Sequence, residues 1–289
     1  MKRPLSPGML LAVSLLPLLF VLFVFVRRPA EKPAPVPVLT VTERLPAPRI
    51  LPELKEDREA PPPAAQQARA GRAALIIDDL GNSLDAIQIL CGLKRPVTAS
   101  ILPFSPATQG TVRMARENGL EIMLHLPLEA LHQKIDKASE GTIYTSMTAA
   151  EIRKNVLASL DAVPGCRGVN NHTGSMVTED DRMMPVILSV LKEKRLYFID
   201  SRTSPNSIAF NTAVTMGVPA AARQVFLDDV PGEASIKARI EELFRLARDN
   251  GQAIGIGHAR PETLRALVKY LNLADVYNVK LVFASALVE

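Results

Sequence analysis

Tryptophan is absent from this chain of 289 residues, and aromatic residues make up only 4% of it. That counts against a surface built on stacked aromatic platforms. Cysteine is nearly as scarce, with Cys91 and Cys166 alone. Two cysteines build neither a disulfide framework nor a cysteine-rich zinc site. They can pair only where the fold brings their Cα atoms within about 4.4–6.8 Å. The net charge of +4 is small. No dense Lys/Arg cluster accompanies it, so no nucleic-acid partner is expected. There is no glycine-rich phosphate loop and no GxGxxG dinucleotide fingerprint. Histidine occurs only four times, so its positions carry information.

What is present divides the chain into three parts. Lys2 and Arg3 precede an apolar run from Met9 to Val26, which Arg27 and Arg28 close. The run is just long enough to cross a hydrocarbon core of roughly 30 Å. A cleavable signal would end in small residues, and here a double arginine stands in their place. Residues 1–28 therefore read as an uncleaved inner-membrane anchor. A short cationic tail ahead of a first apolar segment usually stays in the cytoplasm. The rest of the chain is then expected in the periplasm or at the cell surface. Residues 29–72 are rich in proline, including the run Pro61-Pro62-Pro63, and read as an extended linker. Residues 73–289 read as one folded domain. Overall the chain is 47% hydrophobic and 22% charged, the balance of a globular protein.

Within the domain, short apolar runs alternate with amphipathic stretches. Strands are expected at 73–77, 97–102, 120–124, 168–171, 196–200, 223–227, 252–257 and 279–283. Helices are expected at 84–93, 106–118, 149–163, 180–194, 235–250 and 261–272. Thr148 and Glu151 form a capping-box pattern, and Gly119 and Gly251 suit left-handed helix ends. Continuous apolar strands separated by helices mean a parallel sheet covered by helices. About seven βα units in about 215 residues favour an α/β fold with a closed or nearly closed (β/α) barrel. A doubly wound open sheet is the alternative.

Polar residues gather where the strands end. Asp78 and Asp79 follow the first strand, and His125 and Glu129 the third. Asn170, Asn171 and His172 end the fourth, and Asp200, Ser201 and Arg202 the fifth. His258 ends the strand 252–257. In a parallel α/β domain these ends share the face where ligands bind. Three of the four histidines fall there. Aspartate, histidine and glutamate are ligands suited to Zn²⁺ or a related divalent ion. Three protein ligands leave a position for water, whose pKa the metal lowers. A neighbouring carboxylate takes the water's proton, and a histidine protonates the leaving group. The same residues also suit an inert structural metal site or a polar network without metal.

These segments resemble a known family. Ile76-Ile77-Asp78-Asp79-Leu80-Gly81 resembles the Asp-Asp motif of polysaccharide deacetylases. Gly119 to His125 resembles the approach to their metal-binding histidine, and Ile256-Gly257-His258 their late motif with the catalytic histidine. More closely, 73–271 is similar to the divergent polysaccharide deacetylases of bacterial envelopes. The segments that carry this likeness are His125-Leu126-Pro127-Leu128-Glu129, Gly168 to Ser175, and Phe198 to Thr203.

The resemblance implies a deacetylase-like (β/α) barrel, incomplete or distorted, that acts on an envelope glycan. It implies Asp78 as general base and Asp79 and His125 as metal ligands. His258 is then the acid, and Asp200 a further catalytic residue. The family's second histidine, four residues after the first, is replaced here by Glu129. A carboxylate can also coordinate zinc, and His172 can supply an imidazole from the neighbouring strand. Asn170 and Asn171 stand where the family's Arg-x-Pro-Tyr pattern is expected. With Arg202 they are candidate substrate-binding residues. Arg202 either meets an anionic substrate group or pairs with Asp200. The rival reading is a catalytically degenerate domain that binds a glycan or an envelope protein partner.

The remaining features have plainer readings. Asp228 and Asp229 precede Pro231-Gly232 and suit a turn. Ser175 and Ser201 lack a nucleophile elbow. His132 falls in a polar loop. Phe104, Tyr144 and Phe210 fall near expected loops, where they either stack on a sugar or cover the core.

Overall fold

The structure, a computed structural model, describes residues 70–131 and 139–288. The expected anchor, all of the linker before residue 70, and His132 lie outside the described residues. Among the described residues no helix is long and apolar enough to cross a membrane.

Nine strands alternate with eight α-helices. In chain order they are β1 (Gly71–Leu80), α1 (Asp85–Gly92), β2 (Thr98–Ile101), α2 (Thr108–Glu117), β3 (Glu121–Leu128) and α3 (Ala149–Ala162). Then come β4 (Gly168–Thr173), α4 (Met183–Lys194), β5 (Tyr197–Asp200), α5 (Ala209–Met216), β6 (Ala220–Ala222) and β7 (Val225–Phe226). The last are α6 (Glu233–Asn250), β8 (Gln252–His258), α7 (Pro261–Tyr270), α8 (Leu273–Val276) and β9 (Val279–Val282). Every strand pairing is parallel.

The sheet order is β6-β5-β4-β3-β2-β1-β8-β7, and β9 pairs with the first half of β1. β6 and β7, at the two ends of this order, are separated in sequence only by Arg223 and Gln224. One interrupted stretch therefore reaches both sheet edges. The result is a curled, incomplete barrel; the expected strand at 223–227 is the short β7, and β6 before it was not expected.

Alternation along the strands sorts the side chains into two apolar layers. Ala73, Leu75 and Ile77 of β1 join the large cluster beneath the helices, with Phe198 of β5 and Phe244 of α6. Ala74 and Ile76 join a smaller inner cluster with Met123, Tyr197, Ile199, Ile254 and Ile256. The inner row of each strand then continues in steps of two toward its C-terminal end. It reads 74, 76, 78 on β1; 123, 125 on β3; and 254, 256, 258 on β8. Period two thus carries Asp78, His125 and His258 to the open end of the inner face.

Local signals hold at several boundaries. Thr148 caps α3, accepting from the Glu151 backbone N–H while the Glu151 carboxylate accepts from Thr148 N–H at 2.8 Å. Gly119 and Gly251 are left-handed, with φ +71° and +85°. Two expectations need correction. Helix α5 occupies a segment read as loop, and Phe210 packs there against the main core. Its N-cap residue, Ile208, makes no side-chain cap, so nothing in the sequence marked its start. β3 runs on through Pro127 to Leu128, so His125 lies inside the strand, not beyond it. Cys91 and Cys166 are both free thiols, and burial pushes the Cys166 thiol up to about 11.

Candidate metal centre

Two adjacent aspartates on a regular strand point to opposite faces. Here the pairing of β1 with β2 slips between Ile77 and Leu80, and Asp79 adopts a left-handed backbone at φ +61°. Such a bulge re-aims a side chain. It brings the Asp79 carboxylate to the site that Asp78 reaches by simple alternation. A left-handed non-glycine residue is costly and persists where its surroundings over-determine it.

Asp79, His125 and His172 then converge. Their ligand atoms lie within 4.8 Å of one another. Asp79 Oδ1 is 3.3 Å from His125 Nε2 and 3.1 Å from His172 Nδ1. The two ring nitrogens are 3.1 Å apart. Asp79 Oδ1 is buried and receives no aligned hydrogen bond. A buried carboxylate oxygen without a donor is costly, and a cation would satisfy it.

Asn170 sets the orientation of the group. Its Nδ2 donates to Asp78 Oδ1 at 2.9 Å and to Ser201 Oγ at 3.2 Å. Its Oδ1 accepts from Ser100 Oγ at 2.7 Å and lies 2.8 Å from His125 Nδ1. With the amide fixed by these partners, His125 Nδ1 must donate. In the neutral ring Nε2 is then a lone pair aimed at Asp79 and His172; a metal-binding histidine is commonly oriented in this way, by a hydrogen bond from its other ring nitrogen. The two-imidazole, one-carboxylate donor set with a water position left open suits Zn²⁺ or a similar ion. The residues present therefore fit the metal.

Charge couples the cluster in the absence of an ion. Burial opposes ionisation of Asp79, but contacts with His125 and His172 hold its carboxyl well below the usual range. Burial likewise opposes protonation of His125. Asp78 and Asp79 outweigh it and raise the imidazole above its ordinary value.

His258 stands beside this group. It pairs in register with Asp78 across β8 and β1. Its Nδ1 lies 2.9 Å from Asp228 Oδ1, and its backbone N–H donates to Asp228 Oδ2 at 2.9 Å. Thr263 Oγ1 donates to the same Oδ2 at 2.6 Å. Asp228 thus accepts the Nδ1 proton and leaves Nε2 as the atom for proton exchange. Burial works against the charged ring, but Asp228, with Asp79 and Asp78 beyond it, raises His258 above its ordinary value. The structure makes Asp228 a partner of His258, where the sequence suggested a turn. The signal was its place two residues past the end of β7, beside the histidine-bearing strand.

The other expected residues are used differently. Glu129 does not join the ligand group. Its Oε2 accepts from the Thr145 backbone N–H at 2.7 Å and hydroxyl at 2.6 Å. On a strand, four residues advance the chain by about 13 Å, so Glu129 lies well past His125. His172 supplies the second imidazole.

Asp200 is fully buried and holds the loop after β5. It accepts from Arg202 N–H, Ser207 Oγ and Phe210 N–H. Asn170 holds Asp78 and His125. Asn171 is also spent internally, accepting from Ser201 N–H and donating to the Thr173 carbonyl. Arg202 is exposed and lines a cleft of about 150 Å³ with Asp78, His125, His172, Arg223, Phe226 and His258 among its walls. A second cleft of about 350 Å³, with Phe104 on its wall, meets the same group at Asp79 and His172.

Known proteins share this fold. The family model for divergent polysaccharide deacetylases matches residues 75–288. The chain belongs to that family. Among curated proteins, it is 33% identical over 222 residues to the uncharacterised Escherichia coli protein YibQ, covering 75% of this chain and 67% of that one. An uncharacterised Haemophilus influenzae protein is 32% identical over 196 residues, covering 68% and 69%. A solved structure of an uncharacterised Agrobacterium tumefaciens protein superposes with TM-score 0.72 at 27% identity, covering 76% of this chain and 90% of that one. The domain is thus a divergent deacetylase fold in which Asp79 and His125 meet His172.

Proposed function

We propose that this divergent deacetylase domain is a metal-dependent hydrolase that removes an acyl group from a cell-envelope glycan. The observation that carries the reading is the convergence of Asp79 Oδ1, His125 Nε2 and His172 Nδ1, with Asp78 and His258 beside them. Zinc is the ion best suited to these ligands. When bound, such an ion supplies an acidified water and polarises the acyl carbonyl.

The chain's own residues divide the proton work. Asp78 Oδ1 is held by Asn170, while Oδ2 lies 3.6 Å from His125 Nε2, at the edge of the ligand group. Oδ2 is therefore the atom that takes the proton from the attacking water. His258, kept protonated by Asp228, gives a proton from Nε2 to the departing sugar nitrogen or oxygen. The reading includes export, with residues 1–28 as the anchor and 29–72 as the tether.

Elemental analysis of the purified full chain tests the proposal, beside an Asp79→Ala/His125→Ala variant. About one ion per chain, lost in the variant, supports it. So does chelator-sensitive release of acetate from small acetylated sugars. No metal in either protein after reconstitution overturns it and leaves the binding-module reading.

A further inference from the structure

The 150 Å³ cleft that reaches His125 and His172 is also lined by Arg202 and Arg223. The Arg223 guanidinium is anchored. Nε donates to the Ser201 carbonyl at 2.7 Å, Nη2 to the Arg202 carbonyl at 3.0 Å, and its carbon lies 4.7 Å over the Phe226 ring.

Arg202 differs. Its backbone is left-handed at φ +50°, unusual for a long side chain. Its N–H is tied to Asp200 Oδ1 at 2.8 Å, its carbonyl to Arg223, and the next residue's hydroxyl to the Thr173 carbonyl. The loop is fixed on all sides around a residue whose own guanidinium is exposed and meets no partner among the described residues.

The nearby carboxylates are committed elsewhere. Asp200 holds its loop, Asp78 Oδ1 is bonded to Asn170, and Asp229 faces Arg239 at 3.5 Å. Among the described residues, neither Arg202 nor Arg223 has a carboxylate within ion-pair distance. Arg202 repels Arg223, while Asp229, Asp200 and Asp78 draw on Arg223 from beyond ion-pair distance. The pairing with Asp200 that the sequence left open is absent, because Asp200 binds the Arg202 backbone. Backbone strain spent on displaying a cation is best explained by a ligand.

We infer that Arg202 and Arg223 form a subsite for an anionic substituent, a carboxylate or a phosphate, on the glycan that enters the cleft. Guanidinium forks match both groups through paired hydrogen bonds. The subsite shares its cleft with Asp78, His172 and His258, so the acid group sits on the acylated sugar or its neighbour. This rests on reading the cleft as the substrate site, and it is independent of turnover.

Titration calorimetry of the full chain tests it with three probes. They are an N-acetylglucosamine oligosaccharide, the same oligosaccharide with a carboxylate on alternate sugars, and the same with a phosphate there. The charged probes are expected to bind at least about tenfold tighter at low salt, with the gap narrowing as salt rises. Arg202→Gln should abolish the preference, and Arg202→Lys should retain part of it. The carboxylate and phosphate arms tell which anion is taken.

Equal affinity for neutral and charged probes overturns the inference. So does an Arg202→Gln variant that keeps the full preference, or a failure to bind any probe. Acyl release is scored separately. Charge-selective binding without release refutes the hydrolase and leaves the subsite standing. Release without charge preference does the reverse.

Discussion

Strand β3 carries a buried polar group in each half, and the two have opposite characters. At its start Glu121 is nearly inaccessible. Its Oε1 accepts from Thr98 Oγ1 at 3.0 Å, Tyr197 hydroxyl at 2.9 Å and Ser285 N–H at 3.1 Å. Its other oxygen faces Arg167 at 3.9 Å. Farther along, His125 meets Asp78, Asp79 and His172, and Asp79 Oδ1 receives no aligned donor. The first carboxylate has one oxygen surrounded by hydroxyl and amide donors, while its other oxygen, like Asp79 Oδ1, receives no hydrogen bond but faces a cation of the chain itself. The second is surrounded by nitrogens that can present lone pairs. Burial of an acid does not distinguish a functional site from a structural plug. The kind of atom facing its oxygens does.

Substitutions can break this contrast. Asp78→Asn keeps the ligands but removes the proton acceptor. Turnover of an acetylated sugar should fall about 10²–10⁴-fold with the metal retained, and unchanged turnover would remove Asp78 from its role. Glu121→Ala strands several donors at once and should cost about 3 kcal/mol of stability in urea unfolding, with metal content per folded chain unchanged. Loss of metal there would erase the distinction between the two halves. Asn170→Ala frees His125 and Asp78, and metal affinity measured against a competing chelator should weaken roughly 10–100-fold.

The smallest effect concerns pH. Asp228 raises His258, and the general acid works while protonated, so activity is lost as pH rises through the raised value. Asp228→Asn should move that alkaline limb toward lower pH. A limb that stays in place would assign it to another group.

Much of this contrast was legible in the residues. The alternation of apolar runs and amphipathic stretches gives the parallel sheet, and the placement of histidines at strand ends gives most of the site. Period two puts Asp78, His125 and His258 on one inner face. What was hidden has physical causes. The Asp79 bulge depends on pairing with β2, which no local pattern encodes. Glu129 seemed a ligand by its spacing, but spacing means reach only once the strand's length is known. Asp228 was indistinguishable from a turn residue until β7 was placed beside β8. Arg223 lies in the gap between β6 and β7 and acts through backbone carbonyls, which leave no trace in a sequence.

The pairing of β1 has a consequence for how the protein comes to exist. Its neighbours are β2, β8 and β9, so the first strand among the described residues is flanked by two of the last. Asp78 and Asp79 emerge early, while His258, their register partner's end, emerges about 180 residues later. A nascent or truncated chain ending before β8 holds the aspartates without the acid. On the proposed mechanism such partial products lack the proton donor and are expected to be inactive.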